Sequence, residues 1–152
     1  MGGKAQAEDA NMAETRLERF LRSVGYPDRA SDGSQPFTMR VDGMEIVAEE
    51  SDGRIVLSFA LTGDPAAVPR LASYAVGRML REDAVLAYGA TGPQAAKKPQ
   101  AFLWQDAPAD AAEYALVRLF ESFADACDWW RARLDERGNV NGGEISEAVI
   151  RP

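Results

Sequence analysis

Histidine is absent from the 152 residues, which removes the side chain that most often serves as general base or metal ligand and leaves no Ser-His or Cys-His dyad. Cys127 falls on an apolar helical stripe, where a free cysteine behaves as a small buried hydrophobe more readily than as a thiolate nucleophile. Carboxylates gather at Glu49-Glu50-Ser51-Asp52 and at Asp125 with Asp128. Two of them could share acid and base roles. A solvated acidic face is the favoured reading, because acidic surface keeps such a chain soluble, and neither group has the Asp-x-Asp-x-Asp-Gly spacing of a calcium loop. Gly89-Ala90-Thr91-Gly92-Pro93 superficially resembles a phosphate loop but lacks the Gly-Lys-Ser/Thr ending and the helix that should follow. The expectation is a binding surface rather than an enzyme, with no catalytic residue, cofactor or metal.

Composition narrows the partners. Apolar residues make up 46% and charged residues 27%, a globular balance at a length that suits one domain without disulfide or metal staples. The formal net charge is -7, so the field of the whole protein repels phosphate backbones and anionic headgroups, and nucleic acid is not an expected partner. One cysteine cannot form an internal disulfide, which fits a reducing cytoplasm. No segment has the apolar length of a signal or a membrane span, so membrane insertion is not expected.

The elements follow from periodicity. Residues 1–10 read as a flexible leader. Asn11 with Glu14 has the spacing of a capping box, Leu17, Phe20, Leu21 and Val24 recur at helical spacing, and Gly25 ends that helix. After the loop-like stretch Asp28 to Pro36, Phe37, Met39 and Val41 alternate with polar residues, Asp42-Gly43 makes a tight hairpin, and Met44, Ile46 and Ala48 alternate again. Asp52-Gly53 precedes Ile55, Leu57, Phe59 and Leu61, the strongest strand signal. Asp64 and Pro65 open a second helix, which Pro69 can delay, with Leu71, Ala72, Ala75, Val76, Met79 and Leu80 as its apolar stripe. Strands at Val85 to Tyr88 and Ala101 to Gln105 flank a long turn. Asp106 then reads as the N-cap of the longest helix, with Leu116, Phe120, Phe123, Cys127, Trp130 and Leu134 along one face. Trp129 lies about 100° round that helix from Trp130, so one ring is expected in the core and the other at the periphery, where it packs locally or anchors a partner. The domain is expected over 11–137, with 138–152 as a C-terminal extension whose apolar residues include Ile145, Val149 and Ile150.

This order, α-βββ-α-ββ-α, gives an α+β fold with an antiparallel sheet, and it resembles the class I type III secretion chaperones. Matching pieces between about Glu14 and Leu134 are Leu17-x-x-Phe20-Leu21-x-x-x-Gly25, the two Asp-Gly turns, Val68-Pro69-Arg70-Leu71 leading to Met79-Leu80, and Phe102-Leu103-Trp104 before Asp106-Ala107-Pro108. Glu82-Asp83 stands where such chaperones often carry an Asn, and the Gly89 to Pro99 connection is long. The resemblance implies a bacterial, cytoplasmic homodimer, linked to virulence, that binds a segment near the N-terminus of a secreted effector and keeps it extended and secretion-competent. It implies a groove drawing on Leu17, Phe20, Leu21, Val24, Phe37, Met39, Met44 and Ile46, and a dimer interface drawing on Leu71, Tyr74, Ala75, Val76 and Met79. Two other classes stay open. One is a small-molecule-binding α+β domain in which the sheet grips the long helix around Phe120, Phe123 and Trp130. The other is a regulatory adaptor or antitoxin whose acidic face occupies a basic site.

Overall fold

The computed structural model describes residues 14–26, 36–89 and 99–142, with side chains up to residue 135. The elements are α1 (Arg16–Ser23), β1 (Phe37–Val41), β2 (Met44–Ser51), β3 (Arg54–Thr62), a 3-10 turn (Pro65–Ala67), α2 (Val68–Arg78), β4 (Val85–Gly89), β5 (Gln100–Pro108) and α3 (Glu113–Gly142). The five strands form one antiparallel sheet in the order β1-β2-β3-β5-β4. The expected α+β class and element order are therefore those observed. The chain condenses into two compact units, Met1–Ser58 with Gln105–Glu121 and Phe59–Trp104 with Ser122–Pro152. β3, β5 and α3 each contribute residues to both.

In the first unit, two turns set the register. Asp42 and Gly43 have φ of 50° and 81°, and Asp52 and Gly53 have φ of 52° and 75°. Asp and Gly tolerate this left-handed region and the resulting two-residue hairpin follows the strand twist. Val41 thus pairs with Met44 and Ser51 with Arg54. The same registers put Met39 opposite Ile46 and Ala48 opposite Leu57, and all four are fully buried. α1 contributes Leu17, Phe20 and Leu21 to this core at 1%, 0% and 0% exposure. Its capping box is formed by Thr15 and Glu18: the Glu18 amide donates to Thr15 Oγ1 and the Thr15 amide to Glu18 Oε1, each at 3.0 Å. The expected box began four residues earlier, at Asn11, which lies outside the described residues. Glu14 instead accepts two bonds from Arg22 at 2.6 and 2.7 Å, and that guanidinium holds its carboxyl below the usual range.

The expected N-cap at Asp106 is corrected. β5 continues to Pro108 and α3 begins at Glu113, because the Asp106 carboxylate accepts from Arg54 at 2.7 and 3.3 Å as a strand residue. The turn that follows is held by backbone acceptors: Arg19 donates to Ala109 O at 3.1 Å and Ala111 O at 2.7 Å, and the Ala109 amide donates to Gly53 O at 2.9 Å. α3 also runs to Gly142, so the extension expected from residue 138 begins inside the helix. An interior glycine such as Gly138 costs a helix only about 1 kcal/mol, too little to end it.

In the second unit, Asp64 Oδ1 accepts from the Ala66 amide at 3.0 Å and caps the 3-10 turn. Regular helix begins at Val68, one residue before the Pro69 that an N-terminal turn accommodates. α2 buries only Leu71 and Ala75. Ala72, Val76 and Met79 lie on the adjoining face and are exposed, and Leu80 lies beyond the helix. The expected stripe spans more of the helix than its own chain covers. β4 and β5 pair from Val85–Trp104 to Gly89–Gln100. Leu103, Phe123, Cys127 and Trp130 complete this unit's core.

Burial separates two apolar positions by their cost. Phe20→Ala should lose about 3–5 kcal/mol of stability, whereas exposed Val76→Ala should shift it by no more than about 0.5 kcal/mol. Urea denaturation of the two variants measures both.

Candidate protein-docking surface

The residues expected to line a client groove are mostly core. Leu17, Phe20, Leu21, Met39, Met44 and Ile46 are at most 3% exposed, which corrects their assignment to an open groove. Their alternation is the signature of a buried face, and α1 covers that face itself. Val24 and Phe37 are half-buried, and between them Tyr26 meets the Phe37 ring edge-on at 6.0 Å. The Tyr26 hydroxyl also donates to the Arg40 carbonyl at 3.2 Å. In a two-residue hairpin closed by Val41 and Met44, the Arg40 backbone groups point away from β2. Tyr26 therefore occupies an acceptor on the β1 edge that an added strand would need.

The expected interface residues on α2 divide three ways. Leu71 and Ala75 are buried and face their own core, so they are corrected as interface positions. Tyr74 is half-buried and packs edge-on against Trp129 and Trp130 at 5.9 and 6.2 Å. Val76 and Met79 are 73% and 57% exposed, and with Leu80 at 87% they form an apolar patch at the C-terminal end of α2. The charged residues from Pro65 through Arg81 are all arginines: Arg70, Arg78 and Arg81.

A ring cluster braces this helix end. Trp130 is buried and its indole N–H donates to Glu82 Oε2 at 3.0 Å, while Glu82 Oε1 accepts from Arg78 at 2.7 Å. The Arg78 guanidinium lies 3.9 Å from the Trp129 ring centroid and that of Arg133 5.1 Å from it. Trp130 is thus the core ring and Trp129 the peripheral one, held locally between cations. Glu82, which the sequence marked only as a departure from the chaperone pattern, ties α2 to α3.

Beside the edge strand β4 an apolar pocket of about 180 Å³ is lined by Val68, Leu71, Leu86, Ala87, Tyr88 and Ala101. The pocket is partly open to solvent, and its volume is enough for one aliphatic side chain. A small residue makes the space: Ala101 is the register partner of Tyr88, on the face that Leu86 also shares, while Ala87 pairs with Phe102 on the other face. That alternation of alanine with aromatics was the available sequence signal. None of Phe120, Phe123 and Trp130, the residues expected around a small-molecule site, lines this pocket, and Phe123 and Trp130 are buried.

The remaining chemical candidates are placed as follows. Cys127 is fully buried, and burial pushes its thiol far above its ordinary range, with Glu82 adding to the effect. Glu50 pairs with Arg16 at 3.6 Å and Asp128 with Arg131 at 3.1 Å. Asp52 serves its turn, and Asp125 is exposed. Among the described residues no group of three or more Cys, Asp or Glu is arranged to hold a metal ion. Gly89 ends β4, and the rest of the phosphate-loop-like segment lies outside the described residues. No described helix is long and apolar enough to cross a membrane.

The architecture belongs to a known α+β class. The solved structure of YbjN from E. coli, described as a candidate transcription regulator, is similar with a TM-score of 0.50 and 14% identity, covering 83% of this chain and 90% of that one. At that identity the likeness establishes the fold alone. No protein-family model and no curated protein matches the chain.

Two measurements test this geometry. Cys127 should stay unreactive toward a thiol reagent at pH 8 until the protein is unfolded in guanidinium. Because only the unfolded thiol ionises near its ordinary value, stability should fall as pH rises past about 8.5. Glu82→Ala strands the buried Trp130 N–H, and a loss of about 1–3 kcal/mol is expected by denaturant titration.

Proposed function

We propose that this chain is an effector chaperone of the class I type III secretion kind, acting in the bacterial cytoplasm as a homodimer without cofactor or catalysis. The observation that carries the reading is the apolar patch of Val76, Met79 and Leu80, 57–87% exposed at one end of α2. Contiguous exposed apolar surface marks a protein-interaction site, and this patch lies on the helix that the chaperone resemblance assigns to the subunit contact. Val76 and Met79, with Tyr74 at the margin, are the interface residues in this reading.

The client segment is assigned to the β4 edge. An extended effector segment pairs with the edge strand through backbone hydrogen bonds and seats one aliphatic side chain in the pocket of Val68, Leu86, Ala87 and Tyr88. Backbone pairing gives affinity with little demand on sequence, which suits a chaperone with varied clients. Of the residues expected in a groove on the α1 side, Val24 and Phe37 are half-buried, with Tyr26 against Phe37, and they serve as a secondary contact.

Val76→Glu should leave circular dichroism unchanged and convert dimer to monomer in multi-angle light scattering at micromolar concentration; a wild-type chain that is monomeric throughout refutes the dimer. For the client, the tagged chain is purified from cells making type III substrates. Two copies bound to one larger protein, protected near that protein's N-terminus, are expected, and Ala101→Leu, on the sheet face shared with Leu86 and Tyr88, should reduce the recovered client about tenfold by filling the pocket. Recovery of the chain alone refutes the chaperone reading.

A further inference from the structure

The strand assigned above to the client has a second apolar side. Alternation puts Leu86 and Tyr88, with their partners Leu103 and Ala101, on the α2 side, where the pocket lies. The opposite side carries the pairs Val85 with Trp104 and Ala87 with Phe102, all four residues half-buried. Along β4 this side shrinks from Val85 through Ala87 to Gly89, and a Cβ placed on Gly89 meets nothing within 4 Å. Space therefore opens beside the Phe102 ring, which Ala87 is too small to cover. A strand added at β4 stands two strand spacings, roughly 9.5 Å, from β5, so a large side chain on it leans over Ala87 and meets that ring.

Charge identifies the ligand. Neither β4 nor residues 100–104 of β5 carry Asp, Glu, Lys or Arg, in a chain of which 27% is charged. β4 is an edge strand and also lacks proline, so it has neither of the common devices that repel another strand. The β1 edge differs: Arg40 pairs with Glu45 at 2.6 Å, and Tyr26 holds the Arg40 carbonyl. A charged residue on a strand added to β4 would lose water without gaining an ionic partner from β4 or from residues 100–104. We propose that the β4 edge takes an uncharged segment that is apolar on both sides, with an aliphatic residue in the pocket and a large apolar residue over Ala87 and Gly89 against Phe102. Such a run belongs in the centre of a folded sheet, and when exposed it aggregates, which gives a chaperone its task. This inference rests on the assignment of the client to β4 and adds which segment of a client is taken.

The test uses the full chain and two fluorescein-labelled peptides with the same Lys-Ser ends, one alternating Val with Phe and the other Val with Lys, titrated by anisotropy. The Val-Phe peptide should bind about tenfold more tightly, the effect of burying an additional apolar side chain. Ala101→Leu should weaken both peptides. Ala87→Glu, with circular dichroism unchanged, should abolish the Val-Phe advantage and leave the Val-Lys peptide bound at least as tightly, since its lysine meets the new carboxylate. Equal affinity of the wild-type chain for the two peptides overturns the inference and leaves the β4 seat standing. So does a Val-Phe advantage that persists in both Ala87→Glu and Gly89→Glu, which marks general stickiness. If neither peptide binds, the β4 seat falls and the inference with it; if Ala87→Glu then also abolishes self-association in light scattering, the occupant of the edge is a second copy.

Discussion

Register is the constraint on which this protein depends. Two Asp-Gly turns, each two residues long and each with both residues at positive φ, leave β1, β2 and the start of β3 a single alignment. A slip of one residue would turn Met39, Ile46, Ala48 and Leu57 outward together. That alignment creates the apolar face that Leu17, Phe20 and Leu21 of α1 cover. It also presents Gly53 O to the Ala109 amide, so the chain leaving β5 is fixed before α3 begins. Arg19 reinforces the same turn through two carbonyls. A small set of backbone-directed bonds thereby determines where the longest helix starts.

Most of this was legible because local chemistry and tertiary structure agree. Alternation named the three strands of the meander, the turns named their connections, and the spacing from Leu116 to Trp130 named a helix whose buried side is the one read. The misread positions are those where one residue type satisfies two local rules. Asp106 precedes a proline and a helical stripe, which is the pattern of an N-cap, yet a carboxylate in a strand facing Arg54 is satisfied equally well. Asn11-x-x-Glu14 and Thr15-x-x-Glu18 both have capping-box spacing, and the second directly adjoins the apolar run that the helix must bury.

The site was less legible for a different reason. Hydrophobic periodicity reports which face of an element is apolar, and it is silent on whether another part of the chain or another molecule covers that face. Phe20 and Met39 look the same in sequence whether they line a groove or fill a core; α1 lying over the meander decides it for the core. The β4 pocket was harder still, because it arises from what Ala101 lacks beside Leu86 and Tyr88. Tyr26 was invisible as an edge guard, since its bond to the Arg40 carbonyl joins residues whose only sequence signal is a tyrosine after a helix-ending glycine.

α2 is where the energetics leave most to a partner. Its apolar arc is wider than the face holding Leu71 and Ala75, so Val76, Met79 and Leu80 remain in water. Complete burial of such side chains contributes roughly 1.5–3 kcal/mol each, whereas bringing two free molecules together costs about 4–15 kcal/mol in lost freedom. Three side chains alone therefore hold a free partner weakly, and a stable dimer must recruit flanking surface such as the outer side of Tyr74 and Ala72.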